Sequence, residues 1–189
     1  HGDMAGAHGI KGKGACMYDE IYRIPMMLKM PGNATPRRIS APVHLMDVTA
    51  TCMELMSGEA PTELLGQPLH GRSLCTFATD SPKWPRPVHY AQYHGDWYGH
   101  YSSRMVTDGR WKLVWNFNDL CELYDLASDS LELHNRFYDP DCRELRARYF
   151  ERLLEAARES QDGQALQWAR GMGEPGAFED AVGADLVAR

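Results

Sequence analysis

The chain has 189 residues, 43 % of them hydrophobic and 24 % charged, with a formal net charge of −6 and a pI near 5.7. That acidic balance argues against nucleic acid or an anionic membrane as the main partner, and no apolar run approaches the ~20 residues of a membrane span. The five cysteines are odd in number, widely spread and never paired as CxxC, which fits reduced, mostly buried thiols better than a disulfide framework or a zinc site. They lean towards a reducing, cytoplasmic compartment and leave localisation otherwise open.

In chain order, HGDMAGAHGIKGKG (1–14) is polar and glycine-rich, and ACMYDEIYRI reads as a short helix or turn. PMMLKMPG (25–32) reads as a brief strand stopped by Pro31-Gly32. In HLMDVTATCMELMSG, residues Leu45, Met46, Thr49, Cys52, Met53 and Met56 recur at helical spacing, so this stripe is expected to be core, with Gly58 as the stop. A proline-punctuated linker is expected at 80–87. Beyond it, VHYAQY, SSRMVTD, WKLVWN and CELYDL predict an antiparallel meander broken at DG and ND turns. Asp139-Pro140 offers an N-cap and N1 pair for a helix over 141–159, whose stripe is Leu145, Tyr149, Leu153 and Ala157. Residues 161–189 read as a Gly-rich tail. The organisation is therefore the end of an α/β unit (1–79), the linker, and a sheet-plus-helix subdomain (88–160).

The opening loop carries the chemistry. His1 can ligate a metal as neutral imidazole, and Lys13 is a compact cation suited to a sulfate- or phosphate-like anion. A plain flexible terminus is the alternative reading of the same composition. No GxGxxG or GxxxxGK[ST] pattern occurs. His8 shares the loop, Lys11 reads as a solvated neighbour of Lys13, and Arg23 as a partner for a nearby carboxylate. His44 reads as structural. YHGDWYGHY (93–101), with His94, Trp97, Tyr98, His100 and Tyr101, is either an exposed aromatic turn or the wall of a pocket.

Taken in order, several blocks resemble the sulfatase family of the alkaline phosphatase superfamily. HGDMAGAHGIKGKGACMYDEIYRIPMMLKMPG is similar to its metal motif, Gly- and His-rich loop, lysine, Tyr-Asp-Glu turn and Arg-x-Pro. APVHLMDVTATCMELMSG resembles its Val-x-x-x-Asp helix entry, with Ala50-Thr51 in place of Pro-Thr, and Gly71-Arg72-Ser73-Leu74 its Gly-x-Ser-Leu. RMVTDGRWKLVWNFNDLCELYDLASDSLELHN resembles the C-terminal signature, with Ser130 in place of a proline. The resemblance runs from residue 1 to about 160.

It implies the C-terminal part of an alkaline-phosphatase-like α/β fold, with a small antiparallel sheet and closing helix. It places His1 on the metal motif, whose aspartate would stand just before it, and Lys13 on the sulfate or phosphate group; Glu122, Tyr124 and Asp125 carry over as structural. The implied cofactors are a divalent cation, usually Ca²⁺, and a formylglycine nucleophile matured from Cys/Ser-x-Pro-x-Arg. No such motif follows any of Cys16, Cys52, Cys75, Cys121 and Cys142, and no catalytic residue is assigned. One imidazole is a poor site for hard Ca²⁺, which takes six to eight oxygens. The expectation is a sulfate ester hydrolase that needs a missing N-terminal half and is inactive alone, acting on a small-molecule or saccharide sulfate ester. The alternatives are a phosphonate or phosphate ester hydrolase and a non-catalytic complementation module.

Overall fold

A computed structural model of the chain describes residues 1–32, 36–79, 84, 86–95 and 100–172. Two compact units emerge: one from His1–Ile24 with Tyr90 onward, the other Pro25–His89. The fold is a mixed α/β arrangement of small antiparallel sheets and helices. Most of the 80–87 segment lies outside the described residues, as do Trp97 and Tyr98 and everything beyond residue 172.

The first unit is built on a four-stranded sheet of order β3-β4-β5-β6, comprising β3 (His89–His94), β4 (Ser102–Thr107), β5 (Trp111–Asn116) and β6 (Glu122–Asp125). The pairs β4–β5 and β5–β6 are antiparallel, with Met105 opposite Val114 and Leu113 opposite Leu123. This is the expected meander, close to the expected boundaries. Asp108 makes the β4–β5 turn by accepting from the Arg110 and Trp111 N–H groups, each at 3.0 Å.

Helix α3 (Arg143–Glu159) closes the sheet through the expected stripe: Tyr149, Leu153 and Ala157 are buried, joined by Phe150, whose ring meets Trp115 edge-on at 5.0 Å. The helix starts later than expected, because Pro140–Cys142 form a 3-10 turn and the Asp139 carboxylate takes Arg136 at 2.9 Å instead of capping.

The expected tail is a helix over part of its length, α4 (Gly163–Met172). Asp162 caps it by accepting from the Ala165 N–H at 3.1 Å, and also accepts from the Tyr90 hydroxyl at 2.7 Å and from the fully buried Arg104. Trp168 stacks on Phe117 at 5.0 Å. A charge-assisted pair in a dry setting outweighs the weak helix propensity of a Gly-containing segment.

The second unit has a different kind of interior. Helix α2 (Leu45–Ser57) ends at Gly58 as expected, yet it buries Asp47, Ala50 and Thr51, not the Met stripe. Leu45, Met46, Cys52 and Met56 face outward, which corrects the expectation of a Met-lined core. The Asp47 carboxylate is the reason. It accepts from Arg86 at 2.5 and 2.8 Å, from the Arg72 N–H at 2.8 Å and from the His44 N–H at 2.6 Å. A buried carboxylate must be paired in this way, and its partners then dictate which face turns inward. Burial pushes the Asp47 pKa up, but these bonds outweigh it and hold the carboxyl below its usual range.

Gly71 completes the packing, since a Cβ there would sit 2.3 Å from the Met46 carbonyl oxygen. A small hairpin, β1 (Glu63–Leu64) with β2 (Gln67–Pro68), was not foreseen. The strand expected at 25–32 is absent: this segment has no ladder partner among the described residues, and its backbone gains nothing from extension alone.

Candidate functional site

The site is built from the opening loop. Gly2 donates its N–H to the Ile21 carbonyl at 2.9 Å, and a Cβ at Gly2 would lie 1.8 Å from the Glu20 oxygen, so only glycine permits this approach. The chain then runs out and doubles back: Met4 N–H donates to Gly12 and Gly6 N–H to Ile10, both at 2.9 Å. Between them Ala7–Gly9 form a 3-10 turn with His8 in the left-handed region at φ 51°. Met4 and Met17 anchor the loop from beneath, both 1 % exposed. The backbone of residues 2–4 is thereby held alongside residue 12, with Lys13 next in sequence. His1, Lys11 and Lys13 are all exposed.

Beneath the loop, His8 lies flat on Tyr18, ring centroids 3.8 Å apart and planes 7° from parallel. Its Nε2 is buried without a hydrogen-bond partner. The Tyr18 hydroxyl hydrogen-bonds to Tyr124, whose own hydroxyl donates to Glu122 at 2.9 Å. Burial pushes the Glu122 carboxyl up, against the opposing bonds from Asn116 and Tyr124. Burial, with the Glu122 charge next, likewise raises the phenols of Tyr18 and Tyr124.

The loop's base is tied to the sheet by a buried cluster. Lys112, 0 % exposed, donates to the Met17 carbonyl at 3.1 Å and to Asp19, and forms an ion pair with Glu132 at 2.7 Å. Asp19 heads α1 (Asp19–Tyr22), and its N–H donates to Glu132 at 2.6 Å. The Tyr-Asp-Glu, Arg-Trp-Lys-Leu and Leu-Glu-Leu-His-Asn stretches thus meet in one ionic knot.

Asn135 completes it by accepting from the Leu123 and Phe137 N–H groups at 3.0 and 2.9 Å and donating to the Cys121 carbonyl at 2.9 Å. Periodicity had no means of finding the contacts of Asp19 and Met17 with Lys112 and Glu132, which join residues about a hundred positions apart. The polar residues inside otherwise apolar strands, Lys112 above all, were the available signal.

His1 and Lys13 therefore share one folded-back loop, and His8 belongs to its underside. Arg23 is within 3.7 Å of Asp19, as a partner of a nearby carboxylate. His44 belongs to the other unit, where its Nε2 lies 3.2 Å from Nδ1 of His89 and its backbone enters the Asp47 network. Among the described residues no group of three or more His, Cys, Asp or Glu side chains could hold a metal ion. None of the described helices is long and apolar enough to cross a membrane.

A glycine-built loop carrying an exposed lysine, clamped to a small antiparallel sheet with a closing helix, is a mixed α/β arrangement that matches part of the sulfatase fold. The chain belongs to the sulfatase family: the family model described as N-sulphoglucosamine sulphohydrolase, C-terminal, matches residues 6–159. It is 31 % identical over 173 residues to the uncharacterised sulfatase YidJ of Escherichia coli K12, an alignment covering 89 % of this chain and 33 % of that protein. A structure from Bacteroides thetaiotaomicron, described as a candidate sulfatase, superposes with a TM-score of 0.74 at 25 % identity, covering 86 % of this chain and 35 % of that one. A second, solved in complex with its substrate D-glucosamine-2-N,6-O-disulfate, shares the fold at a TM-score of 0.54 and 21 % identity, over 63 % of this chain and 24 % of that one. The chain thus spans about a quarter to a third of the length of these relatives.

Proposed function

We propose that this chain supplies the anion-binding loop of a sulfate ester hydrolase, with Lys13 as the residue that contacts the sulfate group. The observation that supports the reading most is the exposed Lys13 on a loop whose base is locked by buried contacts, within a chain of the sulfatase family. An ammonium there holds a nonbridging sulfate oxygen, and it offsets charge as the ester oxygen departs. The glycine backbone lets the anion approach closely, and the Lys112 knot keeps the loop from reorganising when the charge moves. A sulfated saccharide, the ligand class of one structural relative, is the substrate class this reading favours.

A hard cation such as Ca²⁺ does not fit on the described residues alone. Exposed His1 offers one imidazole nitrogen where six to eight oxygens are wanted. In the proposal His1 is at most one ligand of a divalent ion whose other ligands, together with a formylglycine nucleophile, lie outside these residues. The deciding experiment joins this chain to the N-terminal two-thirds of the E. coli relative and assays aryl sulfate, aryl phosphate and aryl phosphonate esters side by side. Preferential sulfate ester hydrolysis is expected. A preference for phosphonate or phosphate would move the assignment to that branch of the superfamily, and no turnover of any would favour a non-catalytic role.

A further inference from the structure

Helices α3 and α4 pack against one another, and the seam between them is not filled. Leu154 and Arg158 stand four residues apart on α3, and Ala169 and Arg170 three and four residues after Leu166 on α4, so each set lies on one face of its helix. The two faces line a groove of about 360 Å³. Leu154, Leu166 and Ala169 are its half-buried apolar part, and Arg158 and Arg170 its exposed part. The single methyl group of Ala169 leaves the space open.

The arginines are the informative part. Each lies in the last turn of its helix, where a cation offsets the helix dipole. That accounts for a basic residue on each helix but not for two on one groove. No carboxylate lines the groove, and neither guanidinium is held by an ion pair among the described residues. Arg86, Arg104 and Lys112, by contrast, each have a carboxylate in contact. Two like charges beside one apolar trough repel, and an anion between them removes the repulsion.

We propose that the α3–α4 groove binds a small amphipathic anion, its aryl or alkyl body on the leucines and its sulfate-, sulfonate- or carboxylate-type group between Arg158 and Arg170. The volume falls within the ~300–1,000 Å³ of small-ligand sites, which are likewise mostly apolar with a few placed polar groups. Guanidinium forks suit such oxyanions because they offer paired, parallel donors. One wall of the groove comes from α4, beyond residue 159 where the family match ends, and the loop carrying Lys13 contributes nothing to it. The inference is therefore independent of the sulfate ester reading.

The experiment titrates the full 189-residue chain with 2-naphthalenesulfonate, followed by NMR shifts, with 2-naphthoate in parallel for the carboxylate case. At least one should bind with a Kd of about 1 mM or tighter, the scale for a ligand of this size, and move the signals of Leu154, Leu166 and Ala169. Inorganic sulfate and 2-naphthylmethanol, the anion and the body alone, should each bind about tenfold more weakly or worse. Arg158→Gln and Arg170→Gln should each raise Kd by about fivefold to tenfold. Ala169→Leu, which fills the groove without altering charge, should abolish binding. Arg143→Gln, at the other end of α3 and exposed, and Lys13→Ala should leave Kd unchanged.

Absence of binding by both aryl anions overturns the inference. Equal affinity for 2-naphthylmethanol does so by leaving the arginines no part, and equal affinity for inorganic sulfate by leaving the leucines none. Shifts centred on the opening loop that vanish in Lys13→Ala would assign the anion to Lys13 instead. Binding seen only in a chain ending at Met172 would give the arginines to the acidic residues that follow, Glu174, Glu179, Asp180 and Asp185. No turnover is measured, so the groove and the Lys13 reading stand or fall separately.

Discussion

Burying a lysine is costly unless it is paired and hydrogen-bonded, and Lys112 meets both conditions through Asp19, Glu132 and the Met17 carbonyl. Lys112→Met should therefore destabilise the chain by about 3–5 kcal/mol, the scale for leaving buried charge uncompensated. Urea unfolding measures it, and adding Glu132→Gln to Lys112→Met should recover part of the loss. A loss from Lys112→Met below about 1 kcal/mol, the scale of an exposed pair, would mean the knot is not anchoring the loop. Lys13 is the contrasting case: it is exposed, and it is the residue proposed to meet the anion. In the joined enzyme, Lys13→Ala should lower kcat/KM by roughly 10²–10³, the scale for removing one charge-stabilising contact. Lys11→Ala should change it little, as a solvated lysine contributes little to such a site. Equal losses at the two lysines would place the anion elsewhere on the loop. Both lysines were legible as residue types in the sequence, but only the fold separates the buried clamp from the free cation.

Among the elements, the strands of the meander and helix α3 were readable because alternation and the 3.6-residue stripe report burial directly. Helix α2 was readable as a helix but not in orientation. Its period fits either face, and the choice is made by Asp47 pairing with Arg86, 39 residues away. Helix α4 was missed because its anchor, Asp162, takes its partner from β4. These anchors make separable pH predictions. His44, at the N-cap of α2, is held at about 4 by burial, then by the nearby His89 and Arg86, with Asp47 opposing. The unfolded chain therefore binds that proton first, so the stabilisation is full above about pH 6.5 and is lost as the pH falls towards 4. Burial pushes Asp162 up, but bonds from Arg104 and Tyr90 outweigh it and hold the carboxyl at about 2. Its contribution should persist above about pH 4 and disappear as the pH falls towards 2. Urea midpoints at pH 7, 5.5 and 4.5 test the first window, where His44→Gln should flatten the slope and Asp162→Asn should not. Amide exchange of α4 tests the second: Asp162→Asn should raise it already at pH 7. Identical pH profiles for His44→Gln and the unsubstituted chain would remove His44 from the account.

At the scale of the whole molecule, the order of motif blocks in the sequence carried the family and the fold, whereas the completeness of a site is a question of three-dimensional neighbours. The catalytic consequence follows from magnitudes. Enzymes supply about 8–23 kcal/mol of transition-state stabilisation, and one preorganised charge contact, the role proposed for Lys13, supplies about 2–4 kcal/mol. The remainder requires a positioned nucleophile and charge on the leaving oxygen. No Cys/Ser-x-Pro-x-Arg occurs in these 189 residues, and no cluster of three or more metal-ligating side chains occurs among the described ones. The 189-residue chain by itself should therefore show no turnover of aryl sulfates or aryl phosphates above the uncatalysed rate, with or without added Ca²⁺. The assay is steady-state hydrolysis at high enzyme concentration, with Lys13→Ala as the matched control for contaminating activity. Turnover by the chain that disappears in Lys13→Ala would show that these residues hold a complete active centre, and the division of labour proposed for the two parts of the fold would be wrong.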